Sequence, residues 1–141
     1  MLKRIVLTAA SAAAVATGLA AGAAPAQAAL RDCPSGNFCF WFNSDYQGAR
    51  ADFFYSDRNL ADNLFDDGPG TANGFNVQVE DNAASVANRT GSVAVIYNWR
   101  NCNQDGGASA VQAGDERTLG ALKNKVSSVS LTSTGICLSA P

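Results

Sequence analysis

Residues 33–48 read CPSGNFCFWFNSDYQG. Two cysteines, six positions apart, enclose the turn-forming residues Pro34, Ser35 and Gly36. An aromatic run of strand length follows from Phe38 to Phe42, then a turn-rich segment ending in Tyr46-Gln47-Gly48. Three readings of the stretch compete: a thiol site, a metal knuckle, or a brace for a fold. The chain contains no histidine. That excludes a His-containing zinc site and any Ser–His or Cys–His nucleophile pair. An all-cysteine metal cluster would consume all four cysteines of the chain, and an oxidising compartment disfavours it.

The compartment is read from residues 1–28. Lys3 and Arg4 give a basic start, Ile5 to Ala24 is a nearly unbroken run of small and apolar residues, and Ala26-Gln27-Ala28 is a small-x-small cleavage site. The pattern predicts a cleaved secretory signal peptide. A transmembrane anchor is the competing reading. The run is long enough, but it is Ala-rich rather than Leu-rich and ends without a basic flank. Removing 28 of 141 residues leaves 113, residues 29–141, which suits a single domain. Eight basic and twelve acidic residues remain, a net charge of −4, with no basic stripe. Nucleic acid and anionic membranes are therefore not expected partners. The expected product is a secreted, extracellular monomer.

An even number of cysteines in an exported chain predicts two disulfides. Cys33, Cys39, Cys102 and Cys137 allow three pairings. Cys33 with Cys39 is the easiest on distance, which leaves Cys102 with Cys137. The longer of these loops stabilises more, on the order of 3 to 4 kcal/mol in the chain-entropy account.

The rest reads as short strands broken by turns. Strands are expected at 38–42, 49–55, 75–79, 92–97, 108–113 and 126–132, with 135–138 closing a sheet through Cys137. In 75–79 the alternation puts Phe75, Val77 and Val79 on a core face. Residues 57–64 suggest a helical turn with Leu60 and Leu64 on one face. Residues 65–74, FDDGPGTANG, read as a mobile surface loop in preference to a binding loop. No amphipathic pattern of helical length appears, so the expected class is an all-β antiparallel sandwich or barrel. A faint repeat supports two units: Asp81-Asn82-Ala83-Ala84-Ser85-Val86 and Asn124-Lys125-Val126-Ser127-Ser128-Val129 share one form 43 residues apart. Each lies downstream of an aromatic strand, 40–42 for the first and 96–99 for the second. Motif one is expected at about 33–90 and motif two at about 91–138.

The spacing Trp41, Tyr46, Gly48, followed by Ser85, resembles the corner signature of βγ-crystallin Greek keys. The resemblance implies two aromatics packed on a folded hairpin, a Gly in a backbone conformation closed to other residues, and a Ser that pins the hairpin. Ser128 is the corresponding Ser of the second unit. That unit departs from the pattern: the same spacing from Tyr97 falls on Cys102 and Gln104, and Gly106-Gly107 stand in for the expected Gly. Within the fold, the Cys33–Cys39 opening, the segment Asn88-Arg89-Thr90-Gly91 and the export signal are similar to the secreted bacterial peptidase-inhibitor family typified by the Streptomyces metalloproteinase inhibitor. The resemblance implies a crystallin-like Greek-key sandwich that presents a rigid, substrate-like loop to a metalloendopeptidase. The short Cys-clamped loop of the best-known member type is missing, since 34 residues separate Cys102 from Cys137. The inhibitory loop is therefore expected beside Cys102, at Asn101, Cys102, Asn103 and Gln104.

The same resemblance offers calcium as an alternative. Many βγ-crystallin domains bind it through the paired segments, here Asp81, Ser85, Asn124 and Ser128, although Lys123 and Lys125 flank Asn124 and Ala84 replaces one hydroxyl. Calcium-dependent or surface-recognition behaviour without inhibition is thus the second functional class. An enzyme is not expected. The carboxylate pairs Asp66-Asp67, Glu80-Asp81 and Asp115-Glu116 sit in turn-rich sequence, and no nucleophile elbow or phosphate loop is present. Asn88-Arg89-Thr90 matches a glycosylation acceptor by coincidence.

Overall fold

The aromatic run of the opening stretch forms strand β1 (Phe38–Trp41), and all four of its side chains are buried. A strand buried on both faces needs partners on both edges. In the computed structural model, which describes residues 32–132 and 134–137, β1 lies between β2 (Arg50–Phe53) and β3 (Ser85–Asn88). The second half repeats the plan with β4 (Ala94–Tyr97), β5 (Ala108–Val111), β6 (Glu116–Thr118) and β7 (Ser128–Ser130). All described strand pairs are antiparallel, in two sheets of order β2-β1-β3-β6 and β5-β4-β7.

The two halves are related residue by residue. Trp41 faces Arg50 and Ser85 across its neighbouring strands, and Tyr97 faces Ala108 and Ser128 in the same register. Each half also lends backbone to the other. Strand β6, from the second half, pairs with β3, opposing Arg117 to Val86. Asp57, from the first half, exchanges both backbone hydrogen bonds with Val129 of β7 at 2.8 Å. A second reciprocal pair ties the repeated segments together: Asp81 N–H donates to the Val126 carbonyl and Asn124 N–H to that of Ala83. One apolar core results, shared by Phe38, Phe40 and Phe53 from the first half and Ile96, Val111 and Val129 from the second.

Each half turns one sharp corner, and a serine holds it. In the first corner, Asp45 and Tyr46 adopt left-handed φ of 56° and 62°. For residues with a Cβ this costs roughly 1 to 2 kcal/mol each. The Ser85 hydroxyl accepts the Tyr46 N–H at 3.0 Å and donates to the Asn43 carbonyl at 2.7 Å. Tyr46 lies edge-on to Trp41, with ring centroids 5.5 Å apart. Gly48 has φ +82°, and a Cβ there would fall 2.6 Å from the Asn73 carbonyl oxygen. In the second corner, Asn101 and Cys102 take φ of 59° and 53°. Ser128 accepts the Cys102 N–H at 3.0 Å and donates to the Trp99 carbonyl at 2.7 Å.

The architecture is the all-β, Greek-key arrangement that the sequence implied, and several segments depart from their expected form. Residues 75–79 are not a strand: three backbone hydrogen bonds and an isolated antiparallel bridge, Leu64 with Gln78, tie them to 63–65, with Val79 buried and Phe75 and Val77 packed against the core. Their alternation reports burial, since Gly74 and Asn76 at positive φ break the extended path. Residues 57–64 contain a single 3-10 turn, Leu60–Asp62. Leu60 is buried, but Leu64 is 45% exposed, because three residues do not carry a helical face that far. Residues 65–74 are not a free loop. Phe65 is buried, and Arg50 and Asp67 exchange both backbone bonds at 2.9 Å. Strands β3 and β6 went unforeseen: Ser-Val-Ala-Asn of β3 carries a single β-branched residue, and Glu-Arg-Thr of β6 has no apolar alternation. Residues 135–137 form no strand, while Leu138 and the expected signal peptide, residues 1–28, lie outside the described residues.

Ser85→Ala leaves the Tyr46 N–H and the Asn43 carbonyl unpaired. It is expected to lower the unfolding free energy by about 1 to 3 kcal/mol, read as a lower urea midpoint. Ser128→Ala is expected to cost less, because Cys102 stays tied to Cys137. Equal costs would show that the disulfide does not share the task.

Candidate functional site

Cys33 is bonded to Cys39 and Cys102 to Cys137, with Cα separations of 5.8 and 5.9 Å. The first bridge packs with Trp41, Tyr46 and Ala87 in a small cluster of its own, so it covers the first corner. The second bridge pins the second corner directly, because Cys102 is the residue that stands where Tyr46 stands in the first. Nearby, the Tyr97 hydroxyl donates to the Gly135 carbonyl at 2.7 Å, fixing the segment that carries Cys137.

The second corner is the larger. The first closes between the Phe42 N–H and the Ala49 carbonyl, the second between the Asn98 N–H and the Gly107 carbonyl, which is two residues longer. Gly106 takes the place of Gly48: a Cβ there would lie 2.5 Å from the Trp99 ring. The segment Trp99–Asp105 therefore protrudes. Trp99 is 50% exposed, and Arg100, Asn101, Asn103, Gln104 and Asp105 are exposed. The sequence placed Trp99 in an aromatic strand, but β4 ends at Tyr97.

This protrusion is braced on every side. Besides Ser128 and Cys137, the Asn101 N–H donates to the Arg58 carbonyl at 2.8 Å, and Asn98 Nδ2 donates to that of Gly106 at 2.9 Å. Asn103 Oδ1 accepts the Asp105 N–H at 2.9 Å. Arg100 makes a two-pronged ion pair with Glu80, one contact at 2.7 Å. The four residues Asn101, Cys102, Asn103 and Gln104 are contiguous at the tip. Their backbone is not a substrate-like strand throughout: Asn101 and Cys102 are left-handed, and only Asn103 (φ −77°, ψ 119°) is extended before a second 3-10 turn. A hollow of about 440 Å³ lies at its foot, lined by Arg58, Cys102, Gln104, Ile136 and their neighbours.

The four residues considered for calcium do not fit the ion. Calcium takes six to eight oxygen ligands, with carboxylates supplying charge. Ser85 and Ser128 spend their hydroxyls on the corners. Glu80, next to Asp81, has its carboxylate held by Arg100. At the equivalent place beside Asn124, Lys123 donates to the Ser44 hydroxyl at 2.8 Å. A basic side chain thus lies beside each of the two segments. Among the described residues no group of three or more His, Cys, Asp or Glu side chains is placed to hold a metal. Burial raises the Asp81 carboxyl above its ordinary value, while the Arg100 hydrogen bond holds that of Glu80 below. Asn88 is fully buried. Both hydrogens of its amide are donated, to the Ser92 and Val111 carbonyls, and its Oδ1 accepts from Thr90, so it braces the junction between the halves.

Two sheets with exchanged strands and paired serine-pinned corners define a βγ-crystallin-like domain. Its fold is similar to a solved domain described under the evolution of the eye-lens βγ-crystallin fold, with a TM-score of 0.53 and 16% identity over 68% of this chain and 85% of that one. Two further solved structures are a βγ-crystallin from Ciona intestinalis (TM-score 0.49, 11% identity, 67% and 98% covered) and the N-terminal domain of Protein S (0.46, 25%, 67% and 92%). No curated protein matches the chain. Residues 26–111 match peptidase inhibitor family I36, a stretch that includes both corners. The chain belongs to that family, and it is not an enzyme.

Two outcomes follow from the charged pairs. Thermal midpoints in millimolar calcium and in chelator are expected to coincide; a rise with calcium would restore the metal reading. A carboxyl held below its unfolded value stabilises the fold above that value, and the gain is lost as pH falls through the folded value. The stability difference between wild type and Glu80→Gln is therefore expected to be full at neutral pH and to shrink below about pH 4.5. A difference that persists undiminished to about pH 3 would show that Glu80 acts sterically.

Proposed function

We propose that this protein is a secreted inhibitor of an extracellular metalloendopeptidase, acting by lodging the loop Trp99–Asp105 in the active-site cleft. Membership of an inhibitor family supports the inhibitor reading. The metallo class rests on the resemblance of the Cys33–Cys39 opening and the Asn88–Gly91 segment. The single observation that favours this loop is its combination of exposure and bracing: six of its seven residues, all but Cys102, are exposed, yet its backbone is held by a disulfide, Ser128 and Arg58. A loop already ordered loses little conformational freedom when it docks. Its left-handed turn at Asn101 and Cys102 makes it a folded wedge, in which Trp99 supplies apolar contact and Asn101 to Gln104 supply polar contact. The calcium-binding alternative is not favoured by the occupied acidic segments.

Titration against a panel of secreted metallo-, serine and cysteine peptidases is expected to show stoichiometric inhibition of a metallo member. Trp99→Ala and Asn101→Ala are expected to weaken it about tenfold or more, and Ser35→Ala to leave it unchanged. The Cys102→Ser, Cys137→Ser pair is expected to raise the inhibition constant with the fold retained. Inhibition of no peptidase in the panel would sink the proposal; inhibition insensitive to residues 99–104 would move it to another surface.

A further inference from the structure

Strands β2 and β5 are equivalent edges of the two sheets, and they are treated differently. The outer edge of β2 is closed by the chain's own segment Leu64-Phe65-Asp66-Asp67-Gly68. Arg50 pairs antiparallel with Asp67, the Ala49 N–H donates to the Asn73 carbonyl at 2.9 Å, and Phe65 fills the core. That cover comes from the long connection between β2 and β3. Its counterpart in the second half, residues 112–127 between β5 and β7, instead runs through β6, which pairs with β3 rather than with β5. Among the described residues β4 is the only strand paired with β5.

A groove of about 540 Å³ lies beside the first two residues of β5, Ala108 and Ser109. Gly106, Gly107, Ala108 and Ser109 line one wall, and Arg117 and Lys125 belong to the other. Along β5 itself, Ala108, Ser109 and Ala110 carry no charge, proline or bulky group, the usual guards of a free edge. One side chain stands in for a strand: Arg117 Nη2 donates to the Ala110 carbonyl at 2.8 Å and to the Ser109 hydroxyl at 2.9 Å. Neither Arg117 nor Lys125 has a carboxylate partner among the described residues, and no acidic residue lines the groove.

We infer that this groove is a strand-addition site for an extended acidic segment of a partner protein, pairing through its backbone with β5 and placing a carboxylate on Arg117 and Lys125. The first half of the chain supplies the pattern of the occupant: an extended backbone, an apolar residue and an aspartate two positions on. An incoming strand takes the Ala110 carbonyl from Arg117, whose guanidinium is then free to clamp the carboxylate in two-pronged fashion. The groove starts at Gly106-Gly107, where the Trp99–Asp105 loop ends, so one partner can engage both. The inference does not depend on inhibition, and its test contains no peptidase.

The probe is a capped synthetic peptide with the sequence of residues 63–69, Asn-Leu-Phe-Asp-Asp-Gly-Pro, titrated into the isotope-labelled secreted protein and followed by amide chemical shifts. Shifts confined to residues 106–111 and 117–125, weakening with salt, are expected. Replacing both aspartates of the peptide by lysine, or Arg117 and Lys125 of the protein by alanine, is expected to weaken binding about tenfold. N-methylation of the peptide backbone is expected to weaken it as much, which attraction by charge alone does not require. Absence of shifts at millimolar peptide, equal binding of the lysine peptide, or indifference to N-methylation would overturn the proposal. Concentration-dependent dimerisation that protects the amides of residues 108–111 would overturn it too, by assigning the edge to a second copy.

Discussion

Two buried serine hydroxyls, Ser85 and Ser128, close the corners on which everything else in this fold depends. Each accepts an N–H from a residue forced into the left-handed region and donates to a carbonyl three residues earlier, at Asn43 and Trp99. The geometry is self-reinforcing. A corner so tight leaves two backbone groups without strand partners, and burying them unpaired would cost about 1 to 3 kcal/mol each. One hydroxyl satisfies both. Because each serine begins or lies in a strand paired with the one leading into its corner, register and corner are fixed together: Trp41 opposes Ser85, and Tyr97 opposes Ser128. Exchange of β6 and Asp57 between the halves follows, since a hairpin folded back on itself leaves its own sheet a strand short.

The corners share a backbone plan but differ in what fills them. The first uses apolar contact: Tyr46 stands edge-on to Trp41, and the Cys33–Cys39 bridge packs beside them. In the second, cysteine replaces the aromatic, and a covalent tie to Cys137 replaces the packing. Cross-linking over a long loop is worth about 3 to 4 kcal/mol in the chain-entropy account, comparable to truncating a buried aromatic. The exchange leaves Trp99 and its neighbours outside, free to touch a partner.

The sequence carried the fold wherever structure was local. Trp41, Tyr46 and Gly48 lie within eight residues, and the two Ser-Val segments have a common form, so both corners were legible. The unread parts depend on distant partners. Strand β6 has no alternation of its own and exists because β3 offers it an edge. Residues 75–79 alternate like a strand, but the positive φ at Gly74 and Asn76 turns them into a packed loop. The docking of Asp67 on Arg50 joins residues whose pairing no short-range pattern encodes. The expectation of a loop at Asn101 to Gln104 came from Cys102 and the family resemblance together, and the structure places these residues at a protruding tip. The role of Gly106 beneath Trp99 was only half visible, because the two added residues shift the expected glycine out of register.

The asymmetry between the halves also bears on where recognition can occur. In the first half the long connection is drawn over the β2 edge, the corner is packed with aromatics, and the pinning serine is backed by a core cluster. In the second half the corner is longer, β4 is the one described strand paired with the edge strand, and two cations face a groove without a carboxylate partner among the described residues. Duplicated halves of equal stability need not diverge in this way. The difference in treatment places the stabilising material on the first half and the accessible backbone on the second. A rigid protruding loop and an open strand edge that begin at the same pair of glycines form one continuous surface. Its scaffold is ordered before any partner arrives, which is the condition under which a small domain can bind tightly without a large interface.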